Sequence, residues 1–150
     1  MFEDRVFSIS SGTQFEELAI ELFHYQYENV PVYRDFCDHL RVNPASVTTL
    51  EAIPFLPIEF FKSFSVISSE KTAAVQFASS GTTGSQRSYH HVASTELYQE
   101  SFRAGFQRAY GNVRDYVILA LLPSYQEQGA SSLIYMVDQL IKDTGNLRSG

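Results

Sequence analysis

The sequence predicts an α/β protein in which N-terminal helices precede a mixed, partly parallel sheet flanked by helices. Three observations carry that prediction. Apolar residues between positions 13 and 40 recur at intervals of three and four, the spacing of one helical face. The run Tyr116-Val117-Ile118-Leu119-Ala120-Leu121-Leu122 is continuously apolar, as in a strand buried on both sides. Strand-like, loop-like and helical segments alternate through the second half, the order expected when helices cover a sheet. On this reading residues 1–63 are a helical section with an apolar connector. Residues 64–150 are the α/β portion, and the two together make one incomplete domain.

The elements follow in order. Thr13 with Glu16 three residues later has the form of a capping box, and Phe15, Leu18, Leu22 and Tyr25 line the helix behind it. Pro31 opens a second helix at the first position, where its missing N–H costs nothing. Tyr33, Phe36, Cys37 and Leu40 form its apolar stripe, and Asn43-Pro44 ends it. Residues 50–61, stiffened by Pro54 and Pro57, form a connector packed across the helices. Short strands are expected at Ser65 to Ile67, at Ala74 to Ala78 and at Ser88 to Ala93. Ser94 or Thr95 caps a helix running to about Tyr110, with Leu97, Tyr98, Phe102 and Phe106 inward, and Gly111-Asn112 stops it. Asp115 to Pro123 is the buried strand. After a loop from Ser124 to Gly129, a helix runs from about Ala130 to Lys142, with Leu133, Met136, Val137 and Leu140 on its core side and Gly145 at its end.

Composition narrows the function. A net charge of −6 over 150 residues opposes a nucleic-acid partner, which needs a basic face. A few backbone N–H groups and Mg²⁺ suffice for one polyphosphate, so ATP is not opposed. The single cysteine, Cys37, allows no internal disulfide and no multi-cysteine zinc site, and its place on an apolar stripe reads as a buried core thiol. No secretory pattern opens the chain and no apolar run is long enough for a membrane span, so the expectation is a cytoplasmic protein. Twelve Phe and nine Tyr point to a large apolar surface or pocket.

The most informative segment is Ser79-Ser80-Gly81-Thr82-Thr83-Gly84-Ser85. Two glycines three apart let the backbone turn several N–H groups inward, and the hydroxyl residues add donors without bulk. Arg87 follows at the right distance to meet a terminal phosphate. A Walker loop is excluded, because Gln stands at position 86 where the pattern requires Gly-Lys-Ser/Thr around it. The plain alternative is a hairpin turn. Seven residues without Asn or Asp are more than such a turn needs, which is about two to five.

Other candidates compete with ordinary structural roles. Tyr125, Gly129 and Ser131 follow the apolar run and open the next helix, where a substrate carboxylate finds a helix N-terminus; an ordinary N-cap explains Ser131 equally well. His90 is the catalytic candidate of the pair His90-His91, set against a structural histidine. His24, His39, His90 and His91 show no metal-ligand spacing, and no metal site is expected. Gly129-Ala130-Ser131-Ser132-Leu133 lacks the final glycine of a serine-hydrolase elbow.

The loop resembles the signature loop of the adenylate-forming superfamily, which includes acyl- and aryl-CoA ligases, firefly luciferase and peptide-synthetase adenylation domains. That loop usually continues Pro-Lys-Gly; here Gln86-Arg87-Ser88 stands instead, which points away from the common CoA ligases. The surroundings are similar to the acyl-protein synthetase branch, the fatty-acid-activating component of bacterial luminescence systems. The similar segments are Phe55-Leu56-Pro57-Ile58-Glu59-Phe60-Phe61-Lys62, the loop, and Tyr116 to Tyr125 followed by Gly129 to Leu133, within a likeness running from about residue 15 to 143.

The resemblance implies activation of a carboxylic acid, fatty or aromatic, by ATP with Mg²⁺ to an acyl-adenylate. Transfer to a protein or other thiol acceptor follows, with a protein acyl acceptor or a reductase as partner. It places Ser79, Ser80, Gly81, Thr82, Thr83, Gly84 and Ser85 on the phosphates and gives Arg87 the place of the missing lysine. The family's chains are longer and carry later adenine and lysine motifs, so the expectation is the N-terminal part of an adenylate-forming enzyme. The alternative is a non-catalytic nucleotide- or anion-binding module, or an inactive fragment of such an enzyme.

Overall fold

A computed structural model describes residues 2–79, 87–122 and 130–150. The chain divides into two units, Met1–Ala73 and Ala74–Gly150.

The first unit is helical. After α1 (Phe2–Val6), α2 (Gly12–Asn29) begins at Ser11, whose Oγ accepts the Gln14 N–H at 3.2 Å. Gln14 Oε1 reaches back to accept the Ser10 N–H at 2.9 Å. The expected box at Thr13 and Glu16 is therefore displaced: Ser11 caps the helix two residues earlier, Gln14 accepts from Ser10 just before the N-cap rather than from the cap residue itself, and Thr13 lies inside the helix. Leu18 and Phe23 are buried on its inner face, whereas Phe15 is 52% exposed.

Val30 ends α2 and precedes α3 (Pro31–His39), which Pro31 opens as expected. Phe23, Val30, Tyr33, Cys37 and Val47 form the core, with Phe36, Ile53, Leu56 and Val66 packed against it. Cys37 is fully buried, and burial pushes its thiol pKa up. The Tyr33 hydroxyl donates to the Pro54 carbonyl at 2.6 Å, so the connector is pinned to the core by a polar bond as well as by Ile53 and Leu56. Burial also drives the Tyr33 hydroxyl pKa upward.

α3 stops before Asn43-Pro44. Val42 N–H bonds the Cys37 carbonyl and Arg41 N–H the Asp38 carbonyl, with Arg41 at φ 57°. This is a Schellman cap with arginine where glycine is usual, and half-buried Val42 returns to the core beside Cys37. Leu40, expected on the apolar stripe, is 55% exposed, because the chain reverses there. Asn43 instead caps the short turn Pro44–Ser46. A second turn at Leu50–Ala52 and the four-residue α4 (Phe60–Ser63) complete the unit. No strand forms at 65–67. Val66 is used as a core residue, and the Ser69 N–H goes to the Asn29 carbonyl rather than into a ladder.

The second unit opens with β1 (Val75–Ala78) and β2 (Tyr89–Val92), paired antiparallel with Val75 opposite Val92 and Ala78 opposite Tyr89. α5 (Thr95–Tyr110) is capped by Ser94 Oγ, which accepts the Leu97 N–H, and ends at Gly111 with φ 87°. α6 (Ser132–Thr144) ends at Gly145 in the left-handed region, as the sequence leads one to expect. A bidentate ion pair of Arg103 with Asp143, at 2.6 and 2.9 Å, ties α5 to α6. On α6, Leu140 is buried and Met136 and Val137 are half-buried as expected, while Leu133 is half-exposed and Ile134 is buried in its stead.

The protein is thus broadly α/β, but the mixed, partly parallel sheet is corrected: among the described residues the sheet has two strands, and they are antiparallel. The expected strand from Asp115 to Pro123 is corrected with it. Val113–Asp115 form a turn, and the apolar stretch after it joins no ladder among the described residues. Its Ala120 N–H and Ile118 carbonyl bond only Gly150, at 2.8 and 3.0 Å, and Leu121 is fully exposed. An apolar run becomes a buried strand only where strands lie on both its edges and layers cover both its faces.

Replacing Arg41 by glycine relieves the left-handed strain of a side chain at that cap and is expected to raise unfolding free energy by about 0.5–1 kcal/mol, net of glycine's greater unfolded-state entropy. Urea denaturation checks this. A loss of stability would contradict the left-handed cap.

Candidate functional site

The candidate site is built on the end of β1. Phe77 is buried, packing against Tyr98 of α5 at 5.4 Å and Tyr135 of α6 at 5.6 Å between ring centroids. The Tyr98 hydroxyl donates to the Ser132 carbonyl at 3.1 Å, and Gln99 Nε2 donates to the Tyr135 hydroxyl at 2.7 Å. The first turn of α6 is therefore fastened to α5, and both helices to the strand. Burial raises the Tyr98 hydroxyl pKa, which keeps it a neutral donor.

Two backbone connections then fix what surrounds the strand end. Ser79 N–H donates to the Ser88 carbonyl at 3.0 Å, and the Ser88 N–H donates to Ser79 Oγ, also at 3.0 Å. On its other side β1 offers the Ala78 N–H to the Ala130 carbonyl at 2.8 Å. Ser79 and Ser88 thus meet at one point. The residue that leads into α6 is bonded to the strand just before it.

The expected site residues fall differently on this frame. Ser79 and Arg87 stand at the two ends of the segment, and Arg87 is exposed. Ser80, Gly81, Thr82, Thr83, Gly84 and Ser85 lie outside the described residues, as do Tyr125 and Gly129. His90 sits opposite Phe77 in the ladder and so shares its face, the one covered by the two tyrosines; His91 sits opposite Gln76 on the other. Ser131 is the N-cap of α6, its Oγ accepting the Ile134 N–H at 3.4 Å. The structure brings Ser79 and Ser88 together, with Ala130 and the start of α6 bonded to the adjoining residue of β1. Ser88 was not singled out from the sequence. The signal was a serine at each end of a Gly/Thr segment, legible only with the strand register in hand.

Among the described residues, two clefts lie elsewhere. One of about 700 Å³ is lined by Arg103, Phe106, Arg114, Leu140 and Lys142 at the opposite end of α6 from Ser131. In the first unit an uncharged groove of about 510 Å³ runs past Phe15, Leu22, Phe55 and Phe61. Among the described residues no group of three or more His, Cys, Asp or Glu side chains is arranged to hold a metal ion, and no helix is long and apolar enough to cross a membrane.

The model of the family described as Acyl-protein synthetase, LuxE, matches residues 3–125. The chain belongs to the acyl-protein synthetase family. No curated protein and no solved structure matches it. The family match spans both strands of the hairpin and everything between them, including Ser79, Arg87 and His90. It begins and ends earlier than the likeness read from residues 15–143, and Ser131 lies beyond it.

Ser131→Ala is expected to lower unfolding free energy by about 1 kcal/mol, and Ser131→Asp to restore it, since aspartate also caps and favours a helix N-terminus. Thermal unfolding of both variants checks this. Equal stability in all three proteins would show that the hydroxyl does not cap α6.

Proposed function

We propose that this acyl-protein synthetase activates a carboxylic acid with MgATP as an acyl-adenylate and passes the acyl group to a thiol on an acceptor protein. The observation that carries the proposal is the mounting of residues 80–86, with the signature composition, between two strands at a point closed by Ser79 and Ser88.

In this reading Ser80, Gly81, Thr82, Thr83, Gly84 and Ser85 hold the β- and γ-phosphates. Arg87 offsets charge on the departing pyrophosphate. His90 contacts the reacting carboxylate, and Tyr125, Gly129 and Ser131 bound the acid's polar end. Mg²⁺ comes with the nucleotide, as part of the substrate, and is held chiefly by the phosphates. A carboxylate oxygen bonds to the α-phosphorus while the bond to the bridging oxygen breaks, and pyrophosphate leaves with that electron pair. The acceptor's thiolate then bonds the acyl carbon and AMP leaves. The acid is apolar, fatty or aromatic, in keeping with the Phe/Tyr-rich composition.

ATP–pyrophosphate isotope exchange with Mg²⁺ and a panel of fatty and aromatic acids tests the proposal. Acid-dependent exchange is expected, reduced about 100-fold in Arg87→Ala and less in Arg87→Lys. ATP binding without exchange under any acid would reduce the chain to a nucleotide-binding module, and absence of both would reject the reading.

A further inference from the structure

The apolar run that follows Val113–Asp115 has one edge in use and one edge bare. The Ile118 carbonyl accepts from the Gly150 N–H at 3.0 Å, and the Ala120 N–H donates to the Gly150 carbonyl at 2.8 Å. The Ile118 N–H goes to Ser149 Oγ on the same side. Residues two apart thus bond one neighbour, so the chain between them is extended and successive residues face opposite edges. The amides and carbonyls of Val117, Leu119 and Leu121 point the other way, and among the described residues they have no hydrogen-bond partner. Their side chains share one face, with Val117 46% exposed, Leu119 78% and Leu121 fully so. Tyr116 to Leu122 contains no charge and no proline, the devices with which proteins ordinarily close such an edge.

We propose that this edge pairs with the same edge of a second copy of the chain, antiparallel about a two-fold axis at Leu119. Bare main-chain donors and acceptors call for an extended polypeptide rather than a lipid or a small apolar molecule. The run is its own complement. With Leu119 opposite its counterpart and Val117 opposite Leu121 of the other copy, every bare amide finds a carbonyl. The exposed side chains then meet in cross-strand pairs, leucine on leucine and valine on leucine, with no like charges opposed. Assembly stops at two, because the far edge is already held by Ser149 and Gly150. One strand pair buries less than the roughly 1,200 Å² of a standard interface, so the dimer is weak, with a Kd on the order of 10 to 100 µM. The inference is independent of the phosphate-binding reading.

Sedimentation equilibrium of the 150-residue chain, from about 1 µM to about 1 mM, reads the association. Amide hydrogen exchange at Leu119 reads the edge itself and is expected to slow as concentration rises. Leu121→Lys is expected to weaken the dimer about tenfold, since the substitution enters twice across the axis. Adding Val117→Glu to it is expected to recover most of that loss, because each new lysine then faces a new glutamate of the other copy. Both side chains are exposed, so both variants are expected to keep the thermal unfolding of the parent at low concentration. A chain that stays monomeric throughout would overturn the proposal. So would a dimer indifferent to Leu121→Lys, which would use another face, or a double variant no tighter than the single one, which would lack this register. Slow exchange at Leu119 in the monomer would show the edge covered within one molecule, and would overturn it as well.

Discussion

Four residues, Val75 to Ala78, are held on both edges, and that constraint sets where the candidate residues of the second unit stand. β2 bonds one edge in antiparallel register, and the Ala130 carbonyl takes the Ala78 N–H on the other. Phe77 closes a third side by burying itself among Tyr98 and Tyr135. A strand so confined has one way to continue, and Ser79 is the first residue of that continuation. The position of Arg87 follows from the same register, because Ser88 is fixed opposite Ser79 and Arg87 immediately precedes it.

The two units use polar bonds in similar ways around apolar cores. In the first, the Tyr33 hydroxyl fastens a proline-stiffened connector at Pro54. In the second, the Tyr98 hydroxyl fastens the first turn of α6 at Ser132. In each case an aromatic ring supplies contact area while its hydroxyl donates to a backbone carbonyl of a neighbouring segment. Surface charge contributes less. The Arg5–Glu21 and Lys142–Asp138 pairs are about half-exposed and are expected to add little. The bidentate Arg103–Asp143 pair is the better placed of the ion pairs, because it joins two helices in fixed geometry.

Much of this was legible in the sequence where a residue's own chemistry decides the outcome. Pro31 opens a helix because its ring favours that position; Ser94 caps one through its hydroxyl; Gly145 ends one because it tolerates a positive φ. The strands on either side of the Ser/Gly/Thr segment were legible as well. What stayed hidden depends on neighbours. Residues 116–122 look like a buried strand by composition, yet Leu119 and Leu121 stand exposed because an apolar run does not say whether partner strands lie beside it. Ser11 rather than Thr13 begins α2, in an arrangement that also gives the Ser10 N–H a partner in Gln14. Arg41 occupies a left-handed cap that no residue preference foretells, held there by the two carbonyl bonds and by Val42 returning to the core. Of the candidate site, the roles of the segment and of Arg87 are read from composition and resemblance alone, while the meeting of Ser79 with Ser88 needed the strand register.

The account's central claim is that MgATP phosphates are gripped at the exit of β1. Titrating the isotopically labelled chain with MgATP and following backbone amide resonances tests it most directly. The account expects saturable shifts concentrated at Ser79, Arg87, Ser88 and Ser131, with the amides of α2 and α3 unmoved. Saturable shifts confined to the groove beside Phe15 and Phe55, or to the cleft beside Arg103 and Arg114, would contradict it.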